Sequence, residues 1–153
     1  MRILFRFILC ITTIVLLSCC AARANIINEG TCGTNVTWTL DDQGTLIISG
    51  SGSITSRPQE SSLIKQVIIE SGITGIGYSV FEDCTNLRSI TIPEGVTSIG
   101  YSAFSNCSSL TNITIPEGVT SIGDRAFSNC PAIRYATMNS SGAHALSKTD
   151  YSF

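Results

Sequence analysis

Residues 90–100 read ITIPEGVTSIG, and the same eleven residues return at 113–123. After two intervening residues, each copy is followed by AFSNC, at 103–107 and at 126–130. The two units therefore share 16 identities over a period of 23 residues. A diverged earlier copy, VIIESGITGIGYSVFEDC, occupies residues 67–84. Tandem similarity at a period of about 20 to 50 residues is typical of solenoid proteins. The sequence therefore predicts a repeat solenoid.

Four columns of apolar side chains recur one unit apart, and Ser, Thr, Asn, Gly and Glu fill the positions between them. Burying one such side chain contributes about 1.5–3 kcal/mol. A single unit has no partner surface for these side chains, so the units are expected to stack into a continuous core. The columns are Ile69, Ile92, Ile115 and Met138; Ile76, Ile99 and Ile122; Phe81, Phe104 and Phe127; and Ile64, Leu87, Leu110 and Ile133.

Each unit divides into short elements. Residues 110–115, LTNITI, are β-branched and alternate, which predicts a strand, and residues 116–118, PEG, predict a turn. Residues 119–122 predict a second short strand. Residues 124–129 are expected to form one helical turn that directs Ala126 and Phe127 inward. The solenoid is thus predicted to be mostly β with short helical turns, and its first strands to form a parallel sheet.

The repeats are predicted to span residues 63–135, between two caps. In residues 25–62, the alternation of Val36, Trp38 and Leu40, the turn at 41–44 and the alternation of Leu46 and Ile48 predict a β-hairpin followed by a linker. This hairpin would cover the apolar end of the first repeat. Residues 136–153 are predicted to form a C-terminal cap with a short helix at 143–148.

Residues 1–24 have the pattern of a secretory signal peptide. Arg2 and Arg6 precede an apolar run at 7–17, and Ala22 and Ala24 fit the small positions before a cleavage site. The apolar run is shorter than the roughly 20 residues that span a bilayer as a helix. Secretion or display at the cell surface is therefore predicted. Alternatively, residues 16–19, LLSC, approximate a lipobox, and lipidation of Cys19 would tether the chain to a membrane.

Charge argues against nucleic acid as a partner. Three of the nine basic residues, Arg2, Arg6 and Arg23, lie in the predicted leader, which leaves six basic residues against eleven acidic ones, a net charge of −5. Nucleic-acid binding depends on neutralising phosphates with Lys and Arg. An acidic chain rich in Ser, Thr and Asn is typical of a soluble extracellular surface.

Four cysteines follow the leader, Cys32, Cys84, Cys107 and Cys130, and the last three are one repeat apart. In stacked units these three would form a buried ladder with neighbours about 4.8 Å apart. Free thiols pack well as small apolar groups, and this is the favoured interpretation, although the spacing also permits one disulfide. A structural zinc needs about four converging ligands, so no metal site is predicted.

These motifs resemble the BspA-like, or Treponema-type, leucine-rich repeats. The family unit runs L-x-x-I-x-I-P-x-x-V-x-x-I-G-x-x-A-F-x-x-C, which residues 110–130 and 87–107 match, and the resemblance covers residues 64–135. The hairpin around Trp38 also resembles the segment that often precedes these repeats. Only residues 51–62 stand where the family usually has a longer linker. The resemblance implies secreted or cell-surface proteins that adhere to host proteins or to other cells.

Groups for catalysis are sparse. His144, the only histidine, lies in the predicted C-terminal cap. The neighbouring carboxylates at Asp41 and Asp42, and at Glu82 and Asp83, are interpreted as solvated turn charges. Because catalysis requires a paired nucleophile and base, carboxylates in a cleft, or a metal, the sequence predicts no enzyme, no catalytic residues and no cofactor.

The outward face of the sheet is the predicted binding surface. Its first column consists of Lys65, Arg88, Thr111 and Arg134, so three of its four members are basic on an acidic chain. Such a stripe would suit an acidic patch on a protein or glycan. The alternative is that these are solvated charges that keep the sheet face soluble. A Tyr beside an Arg also has the chemistry of interface hot spots. The candidate ligand-binding residues are Lys65, Arg88, Arg134, Tyr135, Asn112, Thr91 and Thr114.

Four N-x-[ST] sequons mark candidate glycosylation sites for a eukaryotic source: Asn35, Asn106, Asn112 and Asn139. A glycan on Asn112 would cover part of the predicted binding face.

The function predicted from the sequence is non-enzymatic. It is a secreted or cell-surface adhesion module that binds an extracellular protein or glycan, on a host or a neighbouring cell, through its sheet face. With about three repeats the surface is small, which predicts weak or multivalent binding. The alternative is a structural or decoy repeat protein without its own ligand, a truncated relative of longer adhesins.

Overall fold

A computed structural model describes residues 24–138, with side chains to residue 134. The predicted leader, Cys19, Asn139, His144 and the C-terminal cap beyond Met138 lie outside the described residues. The described chain holds eleven strands and one 3₁₀ turn, Ser61–Leu63. Seven strands form the first sheet, in the order β1 Ile26–Gly33, β2 Val36–Asp41, β3 Thr45–Gly50, β5 Gln66–Ile69, β7 Ser89–Thr91, β9 Asn112–Ile115 and β11 Tyr135–Met138. Four form the second, in the order β10 Ser121–Ile122, β8 Ser98–Ile99, β6 Ile73–Ile76 and β4 Gly52–Ile54.

Each repeat is one coil of a solenoid, with its first strand in the seven-stranded sheet and its second in the four-stranded sheet. The first strands pair in parallel, and Gln66, Ser89, Asn112 and Tyr135 lie opposite one another. The second strands pair in parallel in the same way, through Ile76, Ile99 and Ile122. The predicted solenoid of 23-residue units is therefore confirmed.

The third side of each coil is a run of turns, so the helical turn predicted for residues 124–129 is wrong. One repeat before this segment, the N–H groups of Ser102, Phe104 and Asn106 donate at 2.8 to 3.1 Å to carbonyls of residues 124–128. The alternate N–H groups between them donate to the carbonyl three residues back in their own coil. In the predicted segment, Arg125 and Asn129 have positive φ angles of 58° and 57°. A helix would direct every N–H along its own axis, whereas stacked coils require half of them to bond sideways.

The core consists of the predicted apolar columns. Phe81, Phe104 and Phe127 stack face to face with ring centroids 5.3 Å apart in each pair. The columns that contain Ile64, Ile69 and Ile76 are buried in the central coils. Towards the end of the described chain, Ile122 and Ile133 are partly buried. The burial of these columns shows that stacking of the coils supplies the core that one repeat lacks.

The predicted hairpin is present as β2 and β3, with Val36 opposite Gly50 and Leu40 opposite Leu46. Two features were not predicted. β1 adds an antiparallel third strand on β2. β3 also pairs in parallel with β5, with Thr45 opposite Gln66, while β4 pairs with β6. The short linker therefore does not loosen the cap, because residues 45–54 form a first coil that is hydrogen-bonded to the repeats.

Candidate functional site

The outer face of the seven-stranded sheet carries the predicted binding residues. Thr91, Asn112 and Thr114 are exposed, while the intervening Ile90 and Ile113 are buried. This alternation follows from the two-residue period of side chains along a strand. Tyr135 lies opposite Asn112 in the backbone register, at the end of the same row.

The basic column stands at the margin of this face. Lys65, Arg88 and Arg134 each lie one residue before a strand of the sheet, and all three are exposed. Backbone bonds align the column, since the N–H of Arg88 donates to Lys65 at 2.8 Å and the N–H of Arg134 donates to Thr111 at 3.0 Å. None of the three cations forms a salt bridge with a residue of the described chain.

A row of neutral side chains extends the same face onto the cap. Thr39 lies opposite Ile47, Ile47 opposite Ile68, and Ile68 opposite Thr91. Thr39 and Ile47 were not among the predicted binding residues. Thr39 and Ile47 alternate with the inward Trp38 and Ile48, so the sequence alone indicates that they face outward. Only the pairing of β3 with β5 places them beside the repeats.

The turn carboxylates have structural partners. The Oδ1 atom of Asp41 accepts the N–H of Gln43 at 3.0 Å and the N–H of Thr45 at 2.7 Å, which closes the hairpin turn. Asp83 lies 3.6 Å from the guanidinium of Arg57. The Asp41 bonds fix the hairpin turn, and Asp83 forms an exposed ion pair with Arg57.

The sequons differ in their surroundings. Asn35 and Asn112 are exposed. The Nδ2 of Asn106 instead donates to Oδ1 of Asp83 at 2.8 Å, and its own Oδ1 accepts from Asn129 at 2.9 Å. Asn106 is therefore part of an amide ladder between coils, where a glycan would have to displace existing contacts.

The cysteine column is buried within the stack. The thiols of Cys107 and Cys130 donate to the carbonyls of Phe81 and Phe104, in the preceding coil, at 3.1 and 3.0 Å. All four cysteines of the described chain are free thiols. Burial raises the pKa of Cys84 to about 12 and that of Cys32 to about 11. Cys32 and Cys84, which stay protonated, are therefore poor nucleophiles and poor metal ligands.

Within residues 24–138, no group of three or more His, Cys, Asp or Glu side chains is arranged to hold a metal ion. No helix in that range is long and apolar enough to cross a membrane. The chemistry that the described surface offers is charge, hydroxyl and amide hydrogen bonding, and a few exposed aromatic rings.

Residues 53–151 match the family described as BspA type leucine-rich repeat region, in six copies. The chain belongs to this family. The match confirms the resemblance of the repeat motif, and the described part of it coincides with the strands that follow β3. No curated protein matches the sequence.

Solved leucine-rich repeat proteins have a similar fold. A leucine-rich repeat protein of Eubacterium ventriosum is 22% identical, with a TM-score of 0.51 over 75% of this chain and 45% of that protein. One of Bacteroides capillosus is 18% identical, with a TM-score of 0.51 over 69% of this chain and 94% of that one. A leucine-rich cell surface protein of Faecalibacterium prausnitzii is 24% identical, with a TM-score of 0.41 over 76% of this chain and 44% of that one. The chain spans less than half of the first of these proteins.

Proposed function

We propose that this protein is a non-enzymatic binding module, secreted or held at the cell surface, that presents its seven-stranded sheet to an anionic extracellular ligand. The proposal depends chiefly on one observation: Lys65, Arg88 and Arg134 are exposed in one column and have no salt-bridge partner in the described chain. The predicted leader and the family resemblance to surface adhesins support the location.

The spacing of the basic column suits a chain of negative charges. Lys65 and Arg88 precede adjacent strands, so their backbones are about 4.8 Å apart. Arg134 lies two strands further along. Like charges at this spacing repel one another and lie within the roughly 8–10 Å over which salt screens them. A carboxylate-rich protein segment or an anionic glycan would relieve that repulsion, and its binding would weaken as salt rises.

The neutral row gives such a ligand a flat surface to lie on. Thr39, Ile47, Ile68 and Thr91 offer methyl groups and, at the two threonines, hydroxyls on the face that the basic column borders. Hydroxyl and amide side chains can bond the polar groups of an acidic protein or glycan without adding negative charge. Because exposed ion pairs contribute only about 0–1 kcal/mol each, we expect weak affinity that increases when several copies are displayed together.

A charge-matched comparison tests the basic column. The purified chain without its predicted leader, residues 25–153, would be measured against immobilised heparin and against an immobilised carboxylate-rich protein. Lys65→Gln, Arg88→Gln and Arg134→Gln together should reduce binding roughly tenfold, because three exposed ion pairs are lost. The control variant, Ser71→Glu, Thr74→Glu and Ser121→Glu, changes net charge equally at exposed positions in or next to the four-stranded sheet.

If the control variant loses as much binding as the column variant, net charge and not the column is responsible. If neither probe binds the unmodified chain at low salt, the protein has no anionic ligand, and the structural or decoy alternative replaces the proposal.

A further inference from the structure

Two tyrosines form an exposed aromatic stack at the start of the turn side of the solenoid, just after strands β6 and β8. The rings of Tyr78 and Tyr101 are 5.4 Å apart between centroids and 5° from parallel. Tyr78 is 70% exposed and Tyr101 is 37% exposed. The guanidinium of Arg125 donates to the hydroxyl of Tyr101 at 3.2 Å, which holds that ring in place. The pair is therefore an ordered aromatic surface in contact with solvent.

The fold does not require aromatic residues in this column. One repeat further along, the position of Tyr101 is taken by Asp124, which is exposed. One coil earlier, Ile54 lies opposite Ile76, so Ser56 holds the position equivalent to Tyr78, and it is also exposed. A column that accepts Asp and Ser is not a packing column, unlike the Phe81, Phe104 and Phe127 stack. Its two large rings are therefore available for a role outside the core.

One face of Tyr78 is open. Tyr101 covers one face of Tyr78, and the side chain of Tyr78 is still 70% exposed. The other face of the ring is therefore in contact with solvent. Tyr101 lies between Tyr78 and the coil that carries Arg125, which accounts for its lower exposure.

We propose that the open face of Tyr78 is the stacking platform of a glycan-binding site that takes a neutral sugar ring. The negative face of an aromatic ring attracts the partly positive hydrogens on the C–H face of a pyranose. Arg125 and Asp124 lie together at the far end of the stack, so the surroundings have no excess of either charge that would select an ionic ligand.

The area of the platform favours a sugar over a protein partner. A stable protein interface buries about 800 Å² on each side and has an apolar centre. An aromatic side chain buries about 150–250 Å² at most, and in the described chain the other exposed large apolar side chains, Ile26, Ile27 and Leu63, lie on β1 or in the 3₁₀ turn. A single ring stacked on Tyr78 needs no larger surface. This site is separate from the basic column and does not depend on the function proposed above.

The test removes the ring that forms the platform. In the chain of residues 25–153, Tyr78→Ala deletes the ring, and Tyr78→Phe is the matched control that keeps it. Binding to an array of neutral glycans should weaken roughly three- to tenfold in Tyr78→Ala, the contribution of one aromatic pair, and should be retained in Tyr78→Phe.

Saturation-transfer difference NMR with the best neutral glycan of the array supplies a readout that a structural role would not move. Protons on one face of a single pyranose ring should show the strongest transfer, and the signal should weaken in Tyr78→Ala and persist in Tyr78→Phe. Circular dichroism of each variant verifies folding, which the exposure of Tyr78 favours. No neutral glycan bound, transfer unchanged in folded Tyr78→Ala, or capture only of peptides or sulfated glycans would each overturn the proposal.

Discussion

Single side chains in this protein are governed by their position in a column. The thiol of Cys84 is buried, and burial raises its pKa to about 12 because the low-dielectric interior disfavours a thiolate. Cys107 and Cys130, one and two coils later, each donate to a carbonyl of the preceding coil. The column thus combines apolar packing with weak hydrogen bonds between coils.

The raised pKa of Cys84 predicts a loss of stability at alkaline pH. An unfolded thiol titrates near 8.5, whereas folded Cys84 stays protonated to about 12. Between these values the unfolded chain releases a proton that the folded chain keeps. The free energy of unfolding should therefore fall as pH rises through that window, by up to about 1.4 kcal/mol per unit for this group.

Urea unfolding under reducing conditions at pH 7.5, 9 and 10.5 measures this effect. Cys84→Ala should show a shallower decline than the unmodified chain, because one of the titrating groups is absent. Parallel declines in the two proteins would mean that Cys84 is ionised or exposed in the folded chain.

At the scale of elements, the junction between β3 and β4 decides how the cap joins the solenoid. Gly50 ends β3 at a φ of 121°, and Gly52 begins β4 at a φ of 108°. These angles turn the chain from one sheet into the other within three residues. The carbonyl of Asn35 also approaches Gly50 so closely that an added Cβ would lie 2.0 Å from its oxygen, whereas Gly52 has no such neighbour.

Gly50 and Gly52 form a matched pair for mutagenesis. Gly52→Ala should cost about 1–3 kcal/mol, the strain of a side chain at positive φ. Gly50→Ala should cost about a further 1–3 kcal/mol, because its Cβ must also displace the backbone of Asn35. Thermal unfolding of both variants provides the comparison, and equal losses would show that backbone angle alone matters at this junction.

Across the whole molecule, the cap and the repeats share one sheet and one core. β3 is hydrogen-bonded to β5. Trp38 in the cap is buried in the same apolar cluster as Phe104, the middle ring of the phenylalanine stack. Stability in a solenoid is carried by contacts between neighbouring coils. With so few coils, loss of one interface leaves too little core for the rest, and unfolding is expected to be a single transition.

Phe104→Ala tests this coupling, because Phe104 stacks on Phe81 and on Phe127. Removing a buried Phe costs about 3–5 kcal/mol. The urea midpoint reported by fluorescence of Trp38, the only tryptophan, should fall together with the midpoint reported by far-ultraviolet circular dichroism. Phe104→Leu, which keeps most of the volume, should shift both midpoints less. A Trp38 midpoint that stays in place while the dichroism midpoint falls would show an independently folded cap.

The sequence by itself determined the period, the apolar columns, the parallel pairing of the first strands and the hairpin. Each of these depends on local alternation or on the repetition of 16 residues in 23, which are visible along the chain. The orientation of Thr91 and Thr114 on the outer face follows from the same alternation.

Only the tertiary structure decided the pairing of β1, the conformation of the turn side and the contacts of Tyr78. β1 was not predicted because its pairing with β2 leaves Ile26 and Ile27 exposed, so no inward alternation marks them. The turn side forms no helix because N–H groups such as that of Phe104 find their acceptors in the next coil. Tyr78 and Tyr101 stack because coiling brings side by side two residues that are 23 positions apart in the chain. Partners of this kind are about one coil away along the chain, and only stacking brings them together.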